Sequence, residues 1–409
     1  MVDLNKGATV ELVKTLSDDL RTGADGTVYE SAGAAIRAVH NRLENQIVSM
    51  IGLVGIDSWK DVQTIVRAGL ASKIFSIGDQ FTCQRNGVNL VWDIIGIDHD
   101  IPADSQYTHS MTLQLHDCFA SDMPIDNREA FYYSESGLAA GTYNVTIGAH
   151  NWVSGDVGKT IQFTLTQELP AGGQLVFKQA FDTTCVGGGI DTFASPTSTT
   201  PIKTITMTEG NNGQSLGTIN NSVQTHLNSM QRALLGSNNY KESAIRQWLN
   251  SNAAAGSVWA PQTNYDRPPL WASNMEGFLN GLDADFLAVV GNTHIITARN
   301  RICEDGGSDS EDDKFFLPST REIYMEEQVN QIIEGNPYPY YSEGSVLPTI
   351  GIGADSNRIK YRGTTSMIWY LRTPSISNCA FSQYVKADGS RSGDASSNAH
   401  AIAPVCNII

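Results

Sequence analysis

The chain has 409 residues, enough for roughly two to three domains, and its 41% hydrophobic and 17% charged content is that of a folded, soluble protein. A formal net charge of −16 argues against non-specific nucleic-acid binding, which depends on Lys and Arg neutralising phosphates. No stretch approaches the ~18 apolar residues of a membrane span, and Met1 to Gly7 show no basic-then-apolar leader, so neither membrane insertion nor secretion is expected.

The chain begins with helical patterning. Ile36, Val39, Leu43, Ile47, Met50 and Val54 recur at spacings of three and four, which predicts a helix with one narrow apolar stripe. Such a stripe suits a short coiled-coil seam or packing on the helix's own domain. A second helix follows, with Asp57 or Ser58 as its cap. Trp59, Val62, Ile65, Val66 and Leu70 form its apolar face, and Gly69 lies near its end.

From Phe75 the pattern turns to strands. "FSIGDQFTC" and "NLVWDIIGIDHD" flank Arg85-Asn86-Gly87, a predicted hairpin turn, and "HSMTLQLHDC" continues the sheet. Residues 125–215 are Thr-rich and punctuated by Gly-Gly and Pro-Ala-Gly turns. They predict a small all-β unit, either a sandwich or an extended hairpin. Amphipathic helices are expected in "NNSVQTHLNSMQRALLG" and "YKESAIRQWLNSNAAA", the latter burying Ile245, Trp248 and Leu249. Beyond the prolines 261, 268 and 269, "DADFLAVVGNTHIITARNR" predicts one or two strands. "EDGGSDSEDD" reads as a solvated acidic loop and "FFLPSTREIYM" as the start of a short helix. Core strands are expected at Met367 to Leu371 and Ala401 to Ile409.

Motifs for chemistry are sparse. The carboxylates of Asp305, Asp309, Asp312 and Asp313 do not follow a calcium-loop spacing. "CVGGGID" sits in a β-rich context without a following helix, which suits a hairpin tip better than a phosphate loop, and "GIGAD" fails for the same reason. "GQSLG" matches a nucleophile elbow by letter only, because polar residues separate Ser215 from the preceding strand. No histidine pair has a metal-binding helical spacing, and His109 and His116 are expected to hydrogen-bond locally. The cysteines at 83, 118, 185, 303, 379 and 406 form no Cys-x-x-Cys pair and read as buried free thiols. No cofactor, metal or catalytic residue is assigned, and the expectation is a protein that is not an enzyme.

"YKESAIRQWLN", "KFFLPSTREIY", "IWYLRTP", "YVKADGS" and the closing "AIAPVCNI", in that order, resemble a C-type-lectin-like domain of phage and gut-bacterial proteins. Related folds include the formylglycine-generating enzymes and the variable proteins of diversity-generating retroelements, among them phage receptor-binding proteins. "VWDIIGIDHD" and "MTLQLHDC" resemble the beginning of the same domain, and the lead-in before it resembles that of phage structural proteins. The closing Ala401-Ile402-Ala403-Pro404 departs from the usual Arg-Pro pattern, and the signatures of calcium-dependent sugar-binding lectins are missing from the sequence. The resemblance implies an α+β fold with a helical attachment and oligomerisation region at 1–74. The lectin-like domain would comprise 75–124 and 236–409, and a β-rich insertion with a connecting helix would occupy 125–235.

The same resemblance implies that the stretch between the last two core strands lies across one exposed face. Trp369, Leu371 and Pro374 would anchor its entry, and Val385, Ile402 and Val405 its exit. Ser375, Ser377, Asn378, Phe381, Ser382, Tyr384, Ser392, Asp394, Ser396, Asn398 and His400 would point outward as a ligand-binding surface. Small polar residues with an occasional aromatic suit such a role, as in paratopes. The expected protein is a virion component, a trimeric tail-fibre or receptor-binding subunit. It would hold a host-surface protein or glycan through this face and other virion proteins through its N-terminal region. The alternatives are a decoration or baseplate protein without a receptor role, and an enzyme on the formylglycine-generating fold.

Overall fold

The computed structural model describes residues 20–22, 27–127, 130–134, 139–147, 160–165, 168, 173–177, 185–186, 190–194, 203–207, 235–260, 262, 269–301, 304–323, 332–342, 356–375, 378 and 380–409. Residues 220–234 of the expected helix at 220–236, "GQSLG", "GIGAD", Ser377, Cys303 and Cys379 lie outside the described residues. The fold is mixed helix and sheet, mostly sheet toward the C-terminus, and divides into two compact units, Met1–Phe75 and Ser76–Ile409.

The first unit contains α1 (Ala32–Val54), α2 (Trp59–Arg67) and α3 (Ala71–Ile74). Ser58 caps α2: its hydroxyl accepts from the Asp61 N–H at 3.2 Å and donates to the Asp61 carboxylate at 2.7 Å. Val62, Ile65, Val66 and Leu70 are buried, as their spacing predicts. The α1 stripe is different. Ile36, Val39 and Leu43 are 68%, 43% and 54% exposed.

In the second unit, β1 (Gln80–Arg85) and β2 (Val88–Ile97) form the predicted hairpin, with Asn86 and Gly87 at φ 51° and 76°. Those are the left-handed angles of a two-residue turn that matches strand twist. β3 (Met111–Leu115) follows. Seven strands then alternate between two small sheets. One sheet holds β4 (Ala130–Ser134), β7 (Gly173–Phe177) and β8 (Cys185–Val186). The other holds β5 (Gly141–Ile147), β6 (Thr160–Leu165), β9 (Ile190–Ala194) and β10 (Lys203–Met207). Among the described residues these strands pair in two sheets. β8 and β9, at the two ends of "CVGGGID", pair in different sheets, and the glycines at 187–189 lie outside the described residues.

The chain returns through α4 (Ala244–Leu249), α5 (Ala284–Val289), β11 (Val290–Gly291), β12 (Thr293–Ala298), β13 (Ser308–Asp313), β14 (Phe315–Phe316) and α6 (Pro339–Ser342). The short β15 (Tyr361–Arg362) and β16 (Thr365–Ser366) precede β17 (Trp369–Pro374), β18 (Phe381–Val385), β19 (Arg391–Ala395) and β20 (Val405–Ile408). The main sheet runs β1-β2-β3-β20-β11, with β14 also on β20. The last strand is therefore inserted beside β3, and Trp92, Trp248, Phe278, Phe286 and Phe315 pack at ring separations of 5.0–6.3 Å on this sheet.

Three local expectations change. The acidic stretch is an ordered strand, not a solvated loop. Arg246 holds Asp313 through two bonds of 2.7 Å and Glu311 at 2.8 Å, while Arg299 holds Asp305 and Asp309. Among the described residues no group of carboxylates, histidines or cysteines is arranged to hold a metal ion. Phe315–Phe316 is a strand and 320–323 a turn, so no helix starts among the described residues of that stretch; 324 and 325 lie outside them. Ser319 and Glu322 close that turn reciprocally, each accepting the other's N–H. Finally, the DADF segment starts with α5, capped by Asp283, before its strands begin.

Candidate functional site

β17 is buried along its whole length, because each end is tied to a distant element. The Trp369 indole donates to the Arg358 carbonyl at 3.0 Å, and Arg372 grips Glu322. Trp369, Leu371, Pro374, Val385, Ile402 and Val405 are all buried, so the expected anchors do lie in the core.

The ribbon between the core strands is not an irregular loop. β17, β18 and β19 form an antiparallel sheet that places Tyr370 opposite Tyr384, Tyr384 opposite Ser392 and Ser382 opposite Asp394. Because side chains alternate, these residues share one face. His400 is carried to that face by main-chain pairing. Its N–H and C=O exchange bonds with Met123, while Ala401 pairs with Ile368 and Tyr370.

One cluster results. The Asp394 carboxylate accepts from His400 Nε2 at 3.0 Å, Asn398 Nδ2 at 2.9 Å and the Ala395 N–H at 2.8 Å. Burial pushes this carboxyl up, but those donors together hold it below its ordinary value. The His400 ring contacts the buried Tyr370 and the half-buried Tyr384 at 4.9 and 5.2 Å. Tyr370 in turn lies 3.0 and 2.8 Å from the carbonyls of Ala395 and Asn398. Tyr384, Ser392, Asp394, Asn398 and His400 are partly exposed, so a pre-ordered patch of one aromatic ring, an imidazole, a carboxylate and small polar groups faces solvent. It suits hydrogen bonding and stacking to a polar ligand.

Other expected site residues fall elsewhere. Ser375, Ser382 and Ser396 are buried, not outward-facing. The Ser382 and Ser396 hydroxyls lie 2.8 Å apart and Ser396 donates to the Ala380 carbonyl, so their polarity is satisfied internally. Leu235 packs on Ala380 and its carbonyl accepts the Ser397 N–H, which covers them. Asn378 and Phe381 are half-buried at the far end, where the buried amides of Asn238 and Asn300 reach the carbonyls of 375, 378 and 381. Tyr370, Asn238 and Asn300 were not recognised from sequence. For Tyr370 the only signal was its place between Trp369 and Leu371 in an apolar run.

A family model described as a domain of unknown function (DUF6273) is similar to residues 217–409. No curated protein and no solved structure matches the chain significantly. The matched segment includes β20 but not β3, the strand beside which β20 lies.

Proposed function

We propose that the chain is a phage virion subunit, in a C-type-lectin-like fold, that attaches to a host-surface ligand through the face built on β18, β19 and His400. The observation that carries this reading is the Tyr384–Asp394–Asn398–His400 cluster. It is partly exposed and already ordered, and it rests on a buried strand fixed by Arg372, so its outer residues can change while the framework stays. The placement of β20 beside β3, which brings the two ends of the second unit into one sheet, supports the lectin-like reading. The phage assignment rests on the sequence resemblance.

The exposed α1 stripe supports assembly into a homo-oligomer, a trimer on the resemblance, with other virion proteins held by the N-terminal region. Repeated copies would make weak single sites sufficient by avidity.

The test compares binding of the purified chain to intact bacterial cells before and after combined Tyr384→Ala, Asp394→Ala and His400→Ala substitution. A loss of about ten-fold or more is expected, with folding checked by thermal melting. Unchanged cell binding by a folded variant would overturn the receptor role and favour a decoration or baseplate protein.

A further inference from the structure

A concave site lies on the main sheet, apart from the β17–β19 face, and does not depend on the reading above. β2 is longer than its neighbour. Trp92 pairs with Leu115, the last residue of β3, and the His116 N–H reaches the Val91 carbonyl at 2.9 Å. The chain then turns away, since the Cys118 N–H bonds to the Tyr361 carbonyl. Among the described residues no strand lies beside 88–90 on this side, and a cavity of about 320 Å³ fills the notch.

The register decides what the notch presents. Arg85 and Val88 close the hairpin, and Gln84 and Asn89 are the next pair. Val91 directs its carbonyl away from β1 toward His116, so by the two-residue period the Asn89 N–H and C=O point the same way, into the notch. Among the described residues neither group has a partner. The opposite edge is occupied: Gln84 accepts from the Asp283 N–H, and Arg85 bridges to Leu282.

Val88, Leu115 and Phe119 give the notch an apolar lining. Two guanidiniums and one carboxylate, Asp117, also line it. Arg85 lies 5.6 Å from the Phe119 ring and donates to the carbonyls of Gly277 and Phe278. Arg362 donates to Phe119 O and Asp122. Among the described residues the Nη1 of neither arginine has an acceptor.

We infer that this notch binds an extended peptide that adds as a short strand to the Asn89 edge, with an apolar side chain on Leu115 and Phe119 and a carboxylate directed to Arg85 and Arg362. An open strand edge supplies main-chain affinity, and the lining selects the side chain. Arg85 also lies 3.6 Å from the Glu276 carboxylate and Arg362 pairs with Asp122, so the carboxylate assignment rests on the two Nη1 groups that have no acceptor among the described residues, not on a surplus of positive charge.

The test uses a fluorescein-labelled Gly-Gly-Val-Leu-Val peptide with a free C-terminus, titrated with the full chain and read by fluorescence anisotropy. Asn89→Pro deletes the edge N–H without touching the β1–β2 ladder, and is expected to weaken binding about ten-fold or more. Asn89→Ala should stay within about two-fold of the parent. Arg362→Gln and the C-terminal amide peptide should each weaken binding about ten-fold. No anisotropy change up to about 1 mM protein, or equal effects of Asn89→Pro and Asn89→Ala in folded protein, would overturn strand addition. Equal binding of acid and amide peptides would overturn the carboxylate assignment.

Discussion

Arg372 and Glu322 form a two-pronged ion pair in which both hydrogen bonds are 2.6 Å and both side chains are buried. Arg372 also donates to the Leu317 carbonyl and lies 5.7 Å from the Phe316 ring. Glu334 completes the network by accepting from the Thr373 hydroxyl and the Ala298 N–H. Burial pushes the Glu322 carboxyl up while the Arg372 charge pulls it back. The pair joins β17, which supports the candidate binding face, to the turn after β14. Arg372→Met should therefore cost about 3–5 kcal/mol, because it leaves an unpaired charge in the interior. Arg372→Met with Glu322→Leu should recover most of that loss. Denaturant unfolding of the single and double variants checks the coupling, and additive losses would refute it.

Gly335 guards the same pair. Its φ is +87°, and a Cβ there would fall 2.3 Å from Glu322 Oε1. Gly335→Ala combines backbone strain with displacement of a buried carboxylate, so a loss of about 2 kcal/mol or more is expected. Gly256→Ala supplies the contrast. Its φ is similar, +83°, but nothing lies within 4 Å, and strain alone should cost about 1 kcal/mol. Equal melting-temperature shifts for the two variants would contradict this account.

His99 and Asp100 introduce a pH dependence. Burial opposes the imidazolium, but the Asp100 hydrogen bond at 3.0 Å, its charge and the Pro337 carbonyl hold His99 above its ordinary value of 6.5. Asp100 meets the same opposition from burial. It is nevertheless held below its ordinary 3.8 by His99, Asn407 and Thr112. A raised histidine contributes stability that is complete below 6.5 and is lost as pH rises through the folded value. The lowered carboxyl contributes above 3.8 and loses its contribution as pH falls through its own folded value. The parent should thus lose stability on the alkaline side of 6.5 more steeply than His99→Gln. Parallel stability curves across that range would remove the histidine as the cause.

On β13, Asp309, Glu311 and Asp313 already have cationic partners, which leaves calcium little to gain there. Added calcium should leave the melting temperature unchanged, whereas Arg246→Met should destabilise the unit by about 3 kcal/mol by stranding Asp313, which is only 3% exposed. Amide exchange over Ser308–Asp313 should accelerate in that variant. A calcium-dependent rise in melting temperature would reverse this view of the strand.

The α1 stripe yields an assembly prediction. Ile36→Asn with Leu43→Asn should lower the mass in solution to that of a single chain. Melting should hardly change, since both side chains are more than half exposed. An unaltered oligomer would place the contact elsewhere, and a parent chain that is itself a monomer would remove the assembly proposal.

The elements readable from the sequence are those set by neighbours along the chain. Asn86-Gly87 can adopt left-handed angles and so turns the first hairpin. Ser58 caps α2 because its hydroxyl lies three residues from the N–H it accepts, and the spacing of Val62, Ile65 and Val66 specifies the buried face. Tertiary structure decided what depends on segments far apart. "EDGGSDSEDD" looks like a solvated loop until Arg246, Arg299 and Lys241 pair with four of its six carboxylates and β12 pairs with its backbone. Ser382 and Ser396 look like surface residues until the main-chain pairing of β18 with β19 turns their hydroxyls toward each other beneath the segment around Leu235. Tyr384, Asp394 and His400 were visible as candidates, but their union required Met123 to pair with His400 and Ile368 to hold the next residue, Ala401. Local hydrogen bonds and side-chain periodicity act over a few residues and so leave a signature in the sequence. Burial and long-range pairing depend on which distant segment arrives, and no short window of sequence carries that information.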